Sequence, residues 1–365
     1  MLGDALAPVR YSRHCGSFVD LGNDSDVQER WLSWLDRGPR SGVVLACHDD
    51  GLELIARNRA RLVEWGYEPI EADDDVMLAM LDKERSYEIA RRVGVPCPGI
   101  WPLRTDEEID LAARDVAYPC ALKPRHSHRF AKHFRAKVLF VDDADELRAA
   151  AARAAEHDIE LFATEVVPGD DSRYCSYYTY LDSAGEPLFH FTKRKPRQHP
   201  PGFGLGTYHV TDWSPDVAEM GLRFLQGAGV RGMANVEFKR DERDGTLKLI
   251  ECNARFTAAN HLVDAAGFDL ALLAYNVSLG RALPPLDSYS TGVSTVYPVD
   301  DLRAFLIYRR QGEISLPQWL RSVARPQAMP IYARDDLRPS AMNGVLRVRG
   351  WLRRRRLRRA AERAT

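Results

Sequence analysis

The sequence has few cysteines and no long apolar run. Its 365 residues include six cysteines, which are scattered without a CxxC pair. This pattern excludes a dense disulfide framework and indicates buried thiols in a reducing compartment. No segment reaches the length of a membrane span, and the opening stretch MLGDALAPVRYSRHC lacks the apolar core of a signal peptide. These absences predict a cytoplasmic protein without a membrane-spanning segment.

The sequence also lacks an excess of either charge. Its 51 lysines and arginines nearly balance 52 acidic residues, so no specific nucleic-acid partner is predicted for the chain as a whole. The segment from residue 344 onward differs, because it is strongly basic and carries Trp351, Leu352 and Leu357. Such a tail is suited to an acidic partner protein or an anionic membrane surface, with nucleic acid as a further alternative. A solvated, frayed helix explains it equally well.

Strand and helix patterns alternate through most of the chain, which predicts an α/β protein built from α+β lobes. The length favours two or three lobes. Asp49 and Asp50 follow the first clear strand and are interpreted as helix-start residues rather than as the lining of a crevice. The predicted divisions are residues 1–82, 83–163, 164–300 and 301–365.

Residues 249–256, LIECNARF, place a carboxylate, an amide and a guanidinium at alternate positions. Glu251, Asn253 and Arg255 would share one face of a strand. The preceding strand carries Glu237, so an antiparallel hairpin would bring the three oxygen-bearing side chains together. These are ligands that Mg²⁺ prefers, and a guanidinium suits a phosphoryl oxygen. A surface strand with a solvated face is the alternative interpretation.

Three weaker features accompany the hairpin. Lys123 ends an apolar strand beside Pro124, and the stretch TEVVPGDDSR is a strand stopped by a Pro-Gly turn. The stretch FTKRKPRQHPP is predicted to be a basic loop. It could receive a substrate carboxylate or phosphate, and a charged surface loop is the competing interpretation. Its candidate residues are Arg194, Lys195, Arg197 and Gln198.

In this order the motifs resemble the ATP-grasp superfamily, specifically its carboxylate–amine or carboxylate–thiol ligases related to the carbamoyl-phosphate-synthase type. The resemblance spans roughly Ser41 to Gly280 and continues weakly through residues 300–320. It implies an ATP-grasp fold preceded by a short, truncated first domain. The matching positions are Asp82, Lys83, residues 94–98, Lys123, Pro124, Glu165, Val166, Val167, Pro168, Gly169, Asp171, Glu237, Phe238, Lys239, Gly245, Glu251, Asn253 and Arg255.

The resemblance also implies roles for individual residues. For ATP, it implies Lys83 and Lys123 on the phosphates, the backbone of Glu165 and Val167 on adenine, and Asp171 on the ribose hydroxyls. For the metal, Mg²⁺ or alternatively Mn²⁺, it implies Glu237, Glu251 and Asn253. For catalysis, it implies Arg255 on the transferring phosphoryl group, with Lys195 as a further catalytic candidate.

The predicted activity is the joining of a carboxylate to an amine, on amino-acid or peptide-like substrates, through an acyl phosphate with release of ADP and phosphate. A small-molecule kinase of the same fold is one alternative, and amine-dependent release of phosphate would separate the two. A non-catalytic nucleotide-binding regulator and a biotin-carboxylase-like partner are the others. The intact set of motif residues argues against a regulator.

The sequence departs from the family pattern in two places. Residues 125–138 replace a glycine-rich phosphate loop, and His126, His128, Arg129 and His133 either cover the phosphates or form a solvated lid. The segment YSRHC begins near residue 11, which predicts the truncation of the first domain. A neighbouring subunit is a candidate to cover the exposed sheet edge, and a homodimer is therefore one predicted assembly.

Overall fold

The computed structural model describes residues 1–24, 26–70, 73–124, 134, 138–283 and 285–362, with only the backbone described at 351 and 353–362. The α-helices in these ranges are α1 (Val27–Arg37), α2 (Asp49–Glu64), α3 (Asp74–Leu81), α4 (Lys83–Arg92), α5 (Asp106–Asp115), α6 (Ala144–Ala155), α7 (Pro215–Ala228), α8 (Asn260–Ala266), α9 (Leu270–Ser278), α10 (Pro298–Arg310), α11 (Leu316–Val323) and α12 (Arg338–Glu362). The strands are β1 (Leu2–Gly3), β2 (Val19–Asp20), β3 (Gly42–Val44), β4 (Tyr67–Pro69), β5 (Ile100–Pro102), β6 (Cys120–Pro124), β7 (Leu139–Val141), β8 (Leu161–Glu165), β9 (Tyr174–Leu181), β10 (Phe191–His199), β11 (Leu205–Asp212), β12 (Gly232–Arg240), β13 (Leu247–Asn253), β14 (Ser294–Val296) and β15 (Gln327–Ala328).

The N-terminal part contains two small parallel sheets. β1 pairs with β2, and β3 pairs with β4 through the crossover helix α2. Helix α2 begins at Asp49, in agreement with the interpretation of Asp49 and Asp50 as helix-start residues. Its apolar face, including Leu52, Ile55 and Leu62, is buried in the main core of the protein. The predicted truncation of this region stays a prediction.

The main sheet has seven strands in the order β13-β12-β9-β10-β11-β14-β15. Its pairs are antiparallel except for β14 with β15. Helices α2, α3, α4, α7, α8 and α9 contribute to the core that covers one side of it. Tyr177, Phe191 and Phe238 are completely buried there and supply large apolar side chains.

The basic stretch FTKRKPRQHPP is strand β10, so the prediction of a loop is wrong. Lys193, Lys195 and Arg197 are all buried, and two of them pair with carboxylates from other elements. Pro196 sits where the register with β11 shifts, which is the place where a central strand tolerates proline. The strand pairs with β9 and β11, and carboxylates from other elements compensate two of its buried charges.

A second, four-stranded sheet has the order β5-β8-β6-β7, with antiparallel pairs. Helices α5 and α6 cover it and bury apolar side chains, among them Ala112, Ala151 and Leu147, in a separate core. The predicted domain divisions stay predictions.

The hairpin of β12 and β13 contains a bulge. Phe238 pairs with Leu249, whereas the preceding Glu237 pairs with Glu251, so Ile250 is an extra residue on β13. Leu249 is completely buried, and strict alternation from it would turn Glu251 toward the core. The bulge resets the alternation, and Glu251 is left accessible from solvent.

Helix α10 is fixed to the main sheet through a buried carboxylate. Asp301 is completely buried and accepts hydrogen bonds from Arg197 Nε at 2.8 Å and Nη2 at 2.9 Å. Thr207 and Trp319 donate to the same carboxylate. Across the described ranges, every helix is too short or too polar to span a bilayer.

Candidate active site

A cleft of about 350 Å³ lies between the four-stranded and the seven-stranded sheets. Four residues that the motifs assigned to ATP line it together: Lys123, Glu165, Val167 and Asp171. Residues of β7, β13 and the loops after β10 and α10 complete its walls.

The segment after β8 forms the hinge between the two sheets. The Val167 carbonyl accepts a hydrogen bond from Lys239 Nζ at 2.9 Å. The Glu165 N–H donates a hydrogen bond to the Gly99 carbonyl at 3.0 Å. Among the described residues, the Val167 N–H has no hydrogen-bond acceptor, so it is available to the edge of a purine base.

The Glu165 side chain ties this hinge to the hairpin. Its carboxylate accepts hydrogen bonds from Lys248 Nζ at 2.7 and 2.9 Å, from Arg243 and from the Gly99 N–H. Burial raises the pKa of Glu165, but the bonds from Lys248 and Arg243 outweigh it and lower the pKa overall. The motif glutamate therefore has a positioning role through its side chain, besides its predicted backbone role.

Asp171 lines the cleft, and its predicted ribose role stays a prediction. It is 5% exposed, and its carboxylate accepts hydrogen bonds from Gln198 Nε2 at 2.8 Å and the Gly202 N–H at 2.8 Å. The Tyr308 hydroxyl donates a third. Three internal donors thus occupy this carboxylate, which anchors surrounding elements.

Lys123 lies where the cleft meets the charged end of the hairpin. Burial lowers its pKa, and the neighbouring Lys83 ammonium lowers it further, to about 7, while Glu251 opposes the shift. No hydrogen bond from Lys123 to another described residue forms, so its amine is open to the cleft.

Lys83 is held at the start of helix α4. Asp82 caps this helix by accepting hydrogen bonds from the Glu84 and Arg85 N–H groups. Lys83 Nζ then lies 3.4 Å from Glu251 Oε2. Asp82 thus caps helix α4, and the adjacent Lys83 places its ammonium group against the hairpin.

The hairpin brings the predicted metal ligands together. Glu237 is directly opposite Glu251 across the two strands, and Asn253 Nδ2 donates to Glu251 Oε1 at 3.2 Å. Burial raises the pKa of Glu251, but Lys83 and Lys195 outweigh it and hold the pKa at about 2. This carboxylate is therefore charged at any ordinary pH.

Lys195 pairs with Glu237 at the same place. Its Nζ lies 2.8 Å from Glu237 Oε1, and both side chains are mostly buried. The ammonium also lies 4.1 Å from the centre of the Tyr174 ring. The main sheet thus presents a row of charges at one face.

Arg255 lies just beyond the end of β13. Its Nε donates to Asp49 Oδ1 at 2.5 Å, and its Nη1 donates to the Phe256 carbonyl at 3.2 Å. Asp49 is largely exposed whereas the guanidinium is not. The structure therefore gives Arg255 an acidic neighbour that the sequence analysis did not connect with it.

The oxygen donors of the hairpin suit a hard divalent cation. Among the residues described, no group of three or more His, Cys, Asp or Glu could hold a metal ion, so the candidates are two carboxylates and one amide. Both carboxylates already face ammonium groups, Glu237 that of Lys195 and Glu251 that of Lys83. This donor set fits Mg²⁺ chemistry.

Several residues of the site were missed by the sequence analysis. Phe140 and Phe203 line the cleft and pack against each other with ring centroids 5.3 Å apart, and Gln311 and Glu313 also line it. Lys193 is buried on the same sheet face, with its Nζ 3.2 Å from His209 Nδ1. None of these belongs to a motif, and only the tertiary fold brings them to the cleft or its edge. His126, His128, Arg129 and His133 lie outside the described residues.

Comparison with known proteins gives consistent matches. The family described as carbamoyl-phosphate synthase L chain, ATP binding domain, matches residues 215–286, which include the hairpin. A D-aspartate ligase of Enterococcus faecium (strain Aus0004) is 25% identical over 288 residues, covering 73% of this chain and 67% of that protein.

Two further matches extend this picture. The C-terminal section of the carbamoyl phosphate synthase large chain of Methanopyrus kandleri is 26% identical over 242 residues, which cover 61% of this chain. The chain spans only 42% of the length of that relative. The biotin carboxylase domain dimer of Hydrogenobacter thermophilus 2-oxoglutarate carboxylase, solved with MgADP, ADP and bicarbonate, has a TM-score of 0.62 at 18% identity, with 80% of this chain and 67% of that chain covered.

The two lobes, the cleft between them and the charged hairpin define an ATP-grasp fold, which confirms the predicted fold class. The matches support the resemblance to the ATP-grasp superfamily that the motifs predicted. The prediction of an enzyme is confirmed, because the matched relatives and neighbours are a ligase, a synthase and a carboxylase.

Proposed function

We propose that this chain joins a carboxylate to an amine at the expense of ATP, through an acyl phosphate. The observation that carries the proposal is the cluster of charges where the cleft meets the hairpin. Glu237 and Glu251 lie opposite each other, and the ammonium groups of Lys83 and Lys195 lie against them. Phosphoryl transfer asks a protein mainly for positioning and for charge compensation, and this cluster offers both.

The nucleotide would lie in the cleft with its base at the hinge. The Val167 N–H is available to adenine, and Ile250 and Phe203 offer apolar walls. Lys83 and Lys123 then stand at the phosphate end. The positive end of the α4 dipole adds to the charge of Lys83.

Glu237, Glu251 and Asn253 would hold Mg²⁺, with Mn²⁺ as the alternative. When bound, the ion would supply charge compensation for the phosphates and fix their orientation. Lys195 lies against Glu237, which keeps its ammonium beside the same phosphate groups.

The reaction then has two steps. An oxygen of the substrate carboxylate attacks the γ-phosphorus of ATP, the bond to the bridging oxygen breaks, and ADP leaves. The amine attacks the carbonyl carbon of the acyl phosphate, phosphate leaves, and the nitrogen loses a proton. Arg255 and Lys195 offset the charge on the transferring group and on the departing phosphate.

The substrates are a small acid and an amine. The relative from Enterococcus faecium is a D-aspartate ligase, which supports an amino acid as the source of the carboxylate. A homodimer and a contact of the basic tail with an acidic partner or a membrane surface stay predictions.

A hydroxylamine-trapping assay tests the proposal without knowledge of the natural amine. The protein is incubated with Mg²⁺, ATP, hydroxylamine and single acids, beginning with D-aspartate, L-aspartate, D-alanine and L-alanine. We expect ADP, phosphate and an acyl hydroxamate in equal amounts, each dependent on one of the acids. The matched control is Glu251→Gln, which should form none of the three.

The kinase alternative predicts a different product balance. ADP formed with a stable phosphorylated product, without free phosphate or hydroxamate, would contradict the ligase proposal. ADP binding without any acid-dependent turnover over a broad set of acids would contradict it in favour of a regulator.

A further inference from the structure

The loop that follows helix α10 forms part of the nucleotide cleft. Gln311 and Glu313 line the cleft, and both residues are exposed. Within the described ranges, neither side chain makes a hydrogen bond or an ion pair. Both residues lie in the segment where the resemblance to the ATP-grasp superfamily is weak, and no motif assigns them a role.

The position of Glu313 is set by the way in which α10 ends. The Glu313 N–H donates to the Tyr308 carbonyl at 2.9 Å, and the Gly312 N–H donates to the Arg309 carbonyl at 3.2 Å. This pair of bonds is a Schellman motif, and Gly312 supplies the positive φ of 79° that the motif requires. Glu313 therefore leaves the helix in one defined direction.

Helix α10 is in turn fixed to the cleft wall. The Tyr308 hydroxyl donates to Asp171 and accepts a hydrogen bond from the Gln198 N–H at 3.1 Å. Burial raises the pKa of Glu313, and the nearby Asp171 and Asp170 raise it further. The Glu313 carboxylate therefore lies at the same end of the cleft as Asp171.

The two acids at this end of the cleft differ in what they can bind. Asp171 is 5% exposed and already accepts from three internal donors. Glu313 is exposed and lines the cleft, and no described residue donates a hydrogen bond to its carboxylate. A carboxylate accepts hydrogen bonds from two neighbouring hydroxyls, and a glutamine amide can either donate or accept.

We propose that Glu313, with Gln311 beside it, binds the ribose hydroxyls of the nucleotide, the role that the motifs assign to Asp171. The inference rests on the proposed function, because it takes the cleft to be the ATP site. The segment after α10 then favours nucleotides that carry both ribose hydroxyls. Asp171 contributes indirectly, because it holds α10 in place through Tyr308.

Calorimetric titration of the full chain tests the inference by comparing ADP with 2′,3′-dideoxy-ADP in the presence of Mg²⁺. The unsubstituted protein should bind ADP about tenfold more tightly, because hydrogen bonds to a charged acceptor are worth about that factor. Glu313→Ala should weaken the binding of ADP but not that of 2′,3′-dideoxy-ADP. The ratio of the two affinities should then be close to one. Glu313→Gln, which keeps the shape of the side chain, should give an intermediate ratio.

Two further variants separate the roles of the acids. Glu242→Ala is the matched control, since Glu242 is an exposed acid that faces Arg173 at 3.7 Å and is not among the residues lining the cleft. It should keep the ratio of the unsubstituted protein. Asp171→Asn should lower the unfolding temperature and also keep the ratio in the folded protein.

The possible results separate this inference from the proposed function. ADP binding with an unchanged ratio in Glu313→Ala would overturn the ribose assignment and leave the nucleotide cleft intact. If Asp171→Asn alone bound ADP and 2′,3′-dideoxy-ADP equally well, the ribose role would belong to Asp171. That result would also overturn the assignment to Glu313. Failure of the unsubstituted protein to bind ADP at all would overturn both proposals.

Discussion

Strand β10 carries two cations, two residues apart, that each hold a carboxylate. Arg197 makes two bonds to Asp301, and Thr207 and Trp319 donate to the same carboxylate, so all its partners are internal. Lys195 makes one bond to Glu237 in the open charge row, the name used here for Lys83, Lys195, Glu237 and Glu251 at the cleft. The first pair is complete without a ligand, whereas the second leaves oxygen lone pairs unused.

The difference separates two uses of charge inside one sheet. A fully satisfied buried pair fixes the position of an element, here helix α10. An incompletely satisfied pair at a cleft is prepared for another charged group. Similar neighbouring residues in a sequence therefore do not imply similar roles, and counting the bonds around each carboxylate distinguishes them.

The largest effect that would test this comparison is loss of activity at the open charge row. Glu251→Gln removes a carboxylate that faces Lys83, and we expect ADP formation to fall by about a thousandfold or more. The unfolding temperature should stay close to that of the unsubstituted protein. Glu219→Gln, an exposed acid paired with Arg223, is the control and should change neither property. Full turnover by Glu251→Gln would remove the basis of the metal assignment.

The buried pair of Arg197 and Asp301 should respond in the opposite way, with a loss of stability rather than of activity. Asp301→Asn leaves Arg197 buried without its counter-charge, and we expect a loss of about 3–5 kcal/mol in the free energy of unfolding. Denaturant titration measures this loss, and kcat of the protein that remains folded should be largely retained. Lys195→Met should show the reverse pattern, with a large loss of kcat and a smaller loss of stability. Equal patterns in the two variants would contradict the comparison.

A smaller, pH-dependent effect should come from Lys123. Its pKa of about 7 means that the free amine loses its charge as the pH rises above neutrality, while bound phosphates favour the charged form. ADP affinity should therefore fall between pH 7 and pH 9, by at most about tenfold per pH unit. Lys123→Arg keeps its charge over this range and should show a flat profile in the same calorimetric titration. A flat profile for the unsubstituted protein would contradict a role of Lys123 at the phosphates.

Much of the charged hairpin could be predicted from the sequence because its spacing is local. The alternation of Glu251, Asn253 and Arg255, with Glu237 on the preceding strand, follows from strand geometry alone. The fold class was predicted from these motifs and is confirmed, and the comparisons support the predicted resemblance to the superfamily. The roles of the individual site residues stay predictions.

Other parts of the site could not be read from local patterns. Buried lysines and arginines resemble a loop in sequence, and only their distant partners, Glu237 and Asp301, make β10 a strand. Glu313 reaches the cleft because α10 packs on the main sheet, a contact between segments more than a hundred residues apart. Such positions depend on tertiary packing that periodicity does not encode.

The extra residue Ile250 has a consequence for anyone who edits or transplants this hairpin. Because side chains on a strand change sides at every step, pairing every residue of β13 without the bulge would turn Glu251 into the apolar interior. Removing Ile250 together with the bulge would instead keep Glu251 opposite Glu237 on a regular ladder. Grafts and chimaeras should therefore preserve the register between Glu237 and Glu251.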